Sequence, residues 1–257
     1  MNRLQDKVAV ITGSGSGMGA SAAKLFSREG AKVVVVDLNA DAGQSVADDI
    51  NKSGGEAIFV QVDTGKEADL KRMVDESIKA FGRVDAYWHN AGIAGAGAIS
   101  ETSEEEYDLQ LSIHLKGGFF GFKHLLPHMI KNGGGSVLFT SSVSGLKPSP
   151  ASPSYSIAKS GLNILAQCIA LGHGKDNIRA NTICPGPVET PLWPSFMNRN
   201  PDIISPEVLT QKFIERVPLG RLIQPEEIAD AALFLCSDDA KMISGVLLPV
   251  DGGLVVA

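Results

Sequence analysis

Cysteine is scarce in this 257-residue chain: Cys168, Cys184 and Cys236 stand far apart and are odd in number. That spacing suits neither a disulfide framework nor a metal site, and buried thiols in a reducing compartment are the better expectation. No metal is expected. No stretch of about 18 consecutive apolar residues occurs, which excludes an obvious membrane-spanning helix. The start, MNRLQDKVAVITG, has no apolar signal core and passes almost directly into a strand-like run, so a cytoplasmic protein is the expectation. Basic runs are missing as well, and the net charge is −6. Nothing here attracts nucleic acid or an anionic membrane surface. Linkers, internal repeats and low-complexity tracts are also lacking. With 44% hydrophobic and 20% charged residues, one globular domain over 1–257 is expected.

What is present is alternation. The runs KVAVITG (7–13), AKVVVVD (31–37), EAIFVQVD (56–63), VDAYWHNAG (84–92), GSVLFTSS (135–142), IRANTICPG (178–186) and GVLLPVDGG (245–253) read as strands. Several are near-continuous Val/Ile/Leu runs, the mark of strands covered on both faces of a parallel sheet. Helical patterns lie between them, at 17–29, 41–53, 67–81, 104–131, 153–172 and 225–236. Pro225, Glu226 and Glu227 suit the positive end of the last helix. The repetition predicts an α/β fold: a doubly wound, parallel, seven-stranded sheet with helices on both faces. Residues 187–214, rich in Pro, Asn and bulky apolar side chains, break the rhythm and read as a substrate-binding insertion.

The first strand enters TGSGSGMGA and then a helix. Glycines permit a tight turn and let a pyrophosphate approach the backbone at a helix N-terminus. The strict G-x-G-x-x-G spacing does not run from Gly13; only Gly15, Gly17 and Gly19-Ala20 fit a looser form. Asp37, at the end of the second strand, stands where a carboxylate accepts hydrogen bonds from an adenosine ribose. It would repel a 2′-phosphate, and neither Ser14 nor Leu38 is a cation that would receive one. NAD is therefore expected over NADP.

In SPSYSIAK, Ser152 is the expected cap and Pro153 suits the first helical position. Tyr155 and Lys159, four residues apart, share a helical face. A phenol ordinarily has a pKa of about 10, too high for proton traffic at neutral pH. A neighbouring ammonium favours the phenolate and lowers that value. The alternative is a plain pair on a solvated surface.

Together these residues resemble the short-chain dehydrogenases/reductases, from about Lys7 to the end. The pattern T-G-x-x-x-G-x-G matches Thr12, Gly13, Gly17 and Gly19; Ser142 and Y-x-x-x-K at Tyr155 and Lys159 match the catalytic serine, tyrosine and lysine. The resemblance implies a single-domain Rossmann fold. It places the dinucleotide on Gly13, Ser16, Gly17, Met18, Gly19, Asp37, Leu38, Asp63, Thr64, Asn90, Ala91, Gly92, Tyr155, Lys159, Pro185, Gly186, Val188 and Thr190. Tyr155 would move the proton that accompanies hydride transfer, Lys159 would assist it and hold the nicotinamide ribose, and Ser142 would bind the substrate oxygen. A homotetramer built on the helices 104–131 and 153–172 is also implied, and the wide apolar surface of GLNILAQCIALG agrees with one.

One residue departs from the family: His114 stands in SIHLKGG where an Asn is usual. In the family that Asn's backbone carbonyl holds a water linking the lysine to solvent. His114 is thus a candidate either through its carbonyl, with the ring packed, or as a proton relay in its own right. We expect His114→Asn to keep substantial activity. A loss of several hundredfold with the fold intact, read by steady-state kinetics, would show that the imidazole takes part.

The substrate pocket is expected between IAGAGAIS, the stretch after Ser142 with Ser144, and the insertion with Trp193, Phe196 and Met197. Lys147 and Arg199 are its candidate cations. An uncharged, moderately hydrophobic alcohol or ketone fits, such as a cyclic, aryl or steroid-like one. A 3-oxoacyl-carrier reductase and a non-catalytic dinucleotide-binding scaffold are the competing readings.

Overall fold

A computed structural model describes residues 2–197 and 205–257. Among them, seven strands form one sheet: β1 (Val8–Thr12), β2 (Lys32–Asp37), β3 (Glu56–Gln61), β4 (Ala86–His89), β5 (Gly135–Thr140), β6 (Ile178–Pro185) and β7 (Leu247–Val250). All pairings are parallel, in the order β3-β2-β1-β4-β5-β6-β7. The helices are α1 (Gly17–Arg28), α2 (Ala40–Lys52), α3 (Glu67–Phe81), α4 (Glu104–Leu111), α5 (Gly117–Lys131), α6 (Pro153–His173), α7 (Trp193–Met197), α8 (Pro206–Arg216) and α9 (Pro225–Cys236).

Every residue of β1 is buried, which explains its unbroken apolar run. Ala9 and Ile11 face a cluster that includes Phe26 of α1, Val46 of α2 and Leu233 of α9. Val8 and Val10 face the opposite cluster, with Met73 of α3, Leu125 of α5 and Leu162 of α6. The chain lays β2 and β3 on one side of β1, then returns to place β4 on the other. That reversal opens a crevice beyond the carboxyl ends of β1 and β4, where α/β sheets bind ligands.

Three expectations change. The helix expected over 104–131 is divided: α4 ends at Leu111, Ser112–Lys116 form a π-turn, and α5 begins at Gly117. A π-turn adds one residue to the helical register, and apolar residues continue on both sides of it. The insertion 187–214 carries the helices α7 and α8. Its prolines include Pro206 in the first turn of α8, where Ser205 accepts from the Val208 amide. Ser152 does not cap α6: its backbone, at φ −160° and ψ 71°, departs from cap geometry and its buried hydroxyl takes no helix amide. Pro153 does occupy the first turn.

Candidate active site

The turn after β1 is shaped by glycines. Gly13 (φ 63°) and Gly17 (φ 52°) take left-handed conformations that suit glycine. A side chain at Gly13 would also meet Ala91 Cα at 2.8 Å. Gly19 does not line the crevice; it lets α1 press on the turn, where a Cβ would lie 2.8 Å from Asn90 Nδ2. Ser16 makes no side-chain cap and the first turn of α1 holds no acidic residue. Its leading amides are thus available to an anion.

Asp37 closes over this turn. Its Oδ2 accepts from Gly15 N at 2.8 Å and its Oδ1 from Asn39 N at 2.9 Å. Leu38 beside it is exposed. Asp63 accepts from Gly65 N at 3.0 Å and pairs with Lys66 at 3.0 Å. Asn90 joins two strand ends: its Nδ2 donates to Gly13 O at 3.1 Å and its Oδ1 accepts from Thr140 Oγ1 at 3.1 Å. Thr12 Oγ1 accepts from the amides of Asn90 and Ala91, each at 3.0 Å.

On the far side of the crevice, Lys159 is only 2% exposed. Its Nζ donates to Thr140 O at 2.8 Å and lies 5.3 Å from the Tyr155 ring centre. Burial pushes its pKa down from 10.5 to about 7. The Tyr155 ring takes the edge contacts of His114 at 5.3 Å and Phe196 at 5.7 Å. Ser142 follows β5, and its hydroxyl accepts from Ser144 N at 3.1 Å. The strand end and α6 are tied together, because Ser141 Oγ donates to Lys159 O at 2.9 Å and Asn163 Nδ2 to Gly145 O at 3.1 Å.

The crevice has a volume of about 390 Å³. Of the residues expected to bind a dinucleotide, Gly13, Ser16, Gly17, Met18, Asp37, Leu38, Asp63, Thr64, Asn90, Ala91, Gly92, Tyr155, Lys159 and Thr190 line it. Pro185, Gly186 and Val188 do not. Pro185 ends β6 and the other two follow it, where a Cβ on Gly186 would meet Asp251 Cα at 3.0 Å and Val188 bridges to Ile223. Ile93 of the stretch IAGAGAIS and Pro191 and Leu192 of the insertion, all in segments expected to form the substrate pocket, also line the crevice, whereas Val36, Val62, Ile113 and Thr140 line it without having been foreseen. A hollow beside β3, near Phe59, Arg72 and Lys79, contains none of these groups.

His114 also lines the crevice, 1% exposed, with Ile93 N donating to its Nε2 at 3.5 Å. Burial, then the Lys159 charge, pushes its pKa well below 6.5, so the ring is neutral at pH 7. A Cβ on Gly92 would touch its Cε1 at 2.6 Å. Trp193 sits behind Phe196, 6.5 Å between ring centres, and its Nε1 donates to Thr210 Oγ1 at 3.2 Å. Met197 is buried. Lys147 reaches away, donating to Ala257 O at 3.3 Å; Arg199 lies outside the described residues. Sequence reasoning missed His89, whose ring nitrogen donates to the His114 carbonyl at 2.9 Å. The available signal was a histidine directly before Asn90 in an otherwise apolar strand.

A family profile described as "Enoyl-(Acyl carrier protein) reductase" matches residues 13–255. The chain is a short-chain dehydrogenase/reductase. This short-chain dehydrogenase/reductase is 38% identical over 252 residues to the 2,5-dichloro-2,5-cyclohexadiene-1,4-diol dehydrogenase of Sphingobium indicum, covering 98% of this chain and 97% of that one. It superposes on levodione reductase with a TM-score of 0.95 and 32% identity, over 99% of both chains. It superposes on the 3-ketoacyl-(acyl-carrier-protein) reductase of Brucella melitensis, solved in complex with NADH, with a TM-score of 0.89 and 35% identity, over 98% and 99%. Among its described residues, no helix is long and apolar enough to cross a membrane, and no group of three His, Cys, Asp or Glu could hold a metal ion.

Proposed function

We propose that the protein is a cytoplasmic, NAD(H)-dependent oxidoreductase that interconverts a secondary alcohol and a ketone. One observation carries this reading: Tyr155, with a buried ammonium 5.3 Å from its ring, faces a crevice whose other end is a glycine turn and a strand-end carboxylate. The residues fit a dinucleotide. Gly13 to Gly19 and the uncapped start of α1 would hold the pyrophosphate. Asp37, already aimed at backbone amides, would accept from a ribose diol; that function and the lack of a cation at Leu38 favour NAD over NADP. Leu38, Asp63 and Thr64 would flank the adenine. Asn90, Ala91, Gly92 and Thr190 would shape the nicotinamide end, supported by the segment of Pro185, Gly186 and Val188 that leads to Thr190. The likeness to an NADH-bound reductase supports this. When bound, the nicotinamide supplies or accepts the hydride.

The chain's own residues handle the proton. Tyr155 gives it to the ketone oxygen in reduction and removes it from the alcohol in oxidation. Lys159 favours the phenolate and shifts proton traffic toward neutral pH. Ser142 donates to the substrate oxygen and stabilises charge developing there. His114 contributes its neutral ring as packing against Tyr155.

Phe196, Trp193 and Met197 supply an apolar wall, and Ser144 holds Ser142 in place. An uncharged cyclic, aryl or steroid-like substrate fits that wall, and likeness to a dehydrogenase of a cyclohexadiene diol supports a ring. Assembly into a homotetramer fits the exposed Phe119 of α5 and Ile157, Ile164 and Leu171 of α6.

A panel of secondary alcohols and ketones, assayed with both cofactors by NADH or NADPH absorbance, tests the reading. The expected result is turnover of cyclic substrates, with kcat/KM for NADH at least about tenfold above NADPH, the effect of roughly 1.4 kcal/mol. Preference for NADPH together with a 3-oxoacyl thioester would instead establish the carrier-protein reductase that the Brucella likeness also fits. No turnover of any substrate would leave a binding scaffold.

A further inference from the structure

We propose that His89 is a positioning residue for the Tyr155 site: its Nε2–H clamps the His114 carbonyl and holds the π-turn that seats the His114 ring on Tyr155. This rests on the reading of the site given above.

The hydrogen bonds fix the tautomer. A carbonyl only accepts, so the nitrogen 2.9 Å from His114 O carries the proton. His89 Nδ1 is then an acceptor, and it faces Thr12 Oγ1 at 3.3 Å and Tyr87 OH at 3.4 Å. The Thr12 oxygen already accepts from two amides, at Asn90 and Ala91, so its own proton is free to point at Nδ1. His89 is 1% exposed, and burial, then the Lys159 charge, pushes its pKa down to about 4. It stays neutral, which keeps one nitrogen a donor and the other an acceptor.

The clamp acts where the helix needs it. In the π-turn the Gly117 N–H is divided between the carbonyls of Ser112 and His114. A histidine donor completes the bonding of the His114 carbonyl. Buried carbonyls that lose a donor are unfavourable, so without His89 the turn is free to revert to α-helical register. One residue of register rotates a side chain by roughly 100° about the helix axis. The His114 ring would leave its place between Gly92, Tyr155 and Lys159. Thr12, His89 and His114, each almost fully buried, thus join the base of the glycine turn to the wall behind Tyr155.

Two-bond 1H–15N spectra of the full-length protein, labelled in histidine and assigned by the loss of the His89 signals in His89→Gln, read the tautomer. At about pH 7 we expect a neutral His89 protonated at Nε2. A proton on Nδ1, or a charged ring, overturns the proposal. This spectrum does not depend on turnover, so failure of the catalytic reading shows separately, as activity in Tyr155→Phe. Kinetics supply the second readout. His89→Phe keeps the bulk and loses the clamp; kcat should fall about 10²-fold, the effect of a slight misplacement of reacting groups. KM for the dinucleotide should stay within about twofold, and His89→Gln, whose amide N–H reaches as far, should restore kcat to within about threefold. A purely structural role would lower Tm and spare the kcat of folded enzyme. Wild-type kcat in folded His89→Phe overturns the proposal. So does folded His89→Gln with a tenfold or greater loss of kcat, about 1.4 kcal/mol, which decides the matter if His89→Phe does not fold.

Discussion

Replacing Tyr155 with Phe lowers kcat by about 10²–10⁴-fold, the usual worth of a positioned proton donor. The loss falls on the chemical step. Phe keeps the ring, and with it the edge contacts to His114 and Phe196 and the place above Lys159. Fold and dinucleotide affinity therefore stay close to wild type, and the variant isolates one hydroxyl. Stopped-flow single turnovers read hydride transfer directly from the absorbance of the reduced ring, free of product release. Unimpaired single turnovers in Tyr155→Phe would move the proton-transfer role to another group, with Ser142 next in line.

Lys159→Met gives the second large effect, in two directions. Activity collapses at least as far as in Tyr155→Phe, because the phenol loses the charge that favours its ionised form. Stability behaves differently with pH. In the folded protein the ammonium is buried with a pKa of about 7, against an ordinary 10.5. Below about pH 7 it is protonated both folded and unfolded, and the wild type carries the full penalty of burying charge. Between about pH 7 and 10 the folded lysine is neutral while the unfolded one keeps its proton, so wild-type stability rises with pH. Methionine has no such term. Wild-type stability relative to Lys159→Met therefore climbs from pH 6 to pH 9 by a few kcal/mol, at about 1.4 kcal/mol per pH unit before discounting for solvent penetration. Urea unfolding at both pH values measures it. A difference that does not change with pH would show that the lysine keeps its charge throughout.

The parts of the molecule that follow from local rules were legible in the sequence. β1 and β2 read as buried parallel strands because both of their faces are covered, and burial on both faces removes alternation. Tyr155 and Lys159 could be placed together because four residues along a helix bring two side chains to one face. Gly13 and Gly17 signalled a turn that only small residues tolerate, and the backbone there is left-handed.

The missed features depend on contacts between distant segments. The π-turn at Ser112–Lys116 is one extra residue inside an apolar pattern that continues on both sides. His89 was invisible as a functional residue because its partners, Thr12 and His114, lie 77 and 25 residues away. Ser152 satisfies the composition rule for a cap, yet its backbone, whose amide bonds back to Ser149 O, departs from cap geometry. The helices of the insertion 187–214 were hidden in the sequence because prolines punctuate it. Pro206 instead opens α8, where a missing N–H does no harm.

A crystal structure with a nicotinamide dinucleotide and a cyclic alcohol bound would bear most directly on how Tyr155 works. The Tyr155 hydroxyl is expected about 2.6–3.2 Å from the alcohol oxygen, with the carbinol carbon facing the ring's C4. An alcohol oxygen held by some other side chain, with the Tyr155 hydroxyl turned away from C4, would contradict the account.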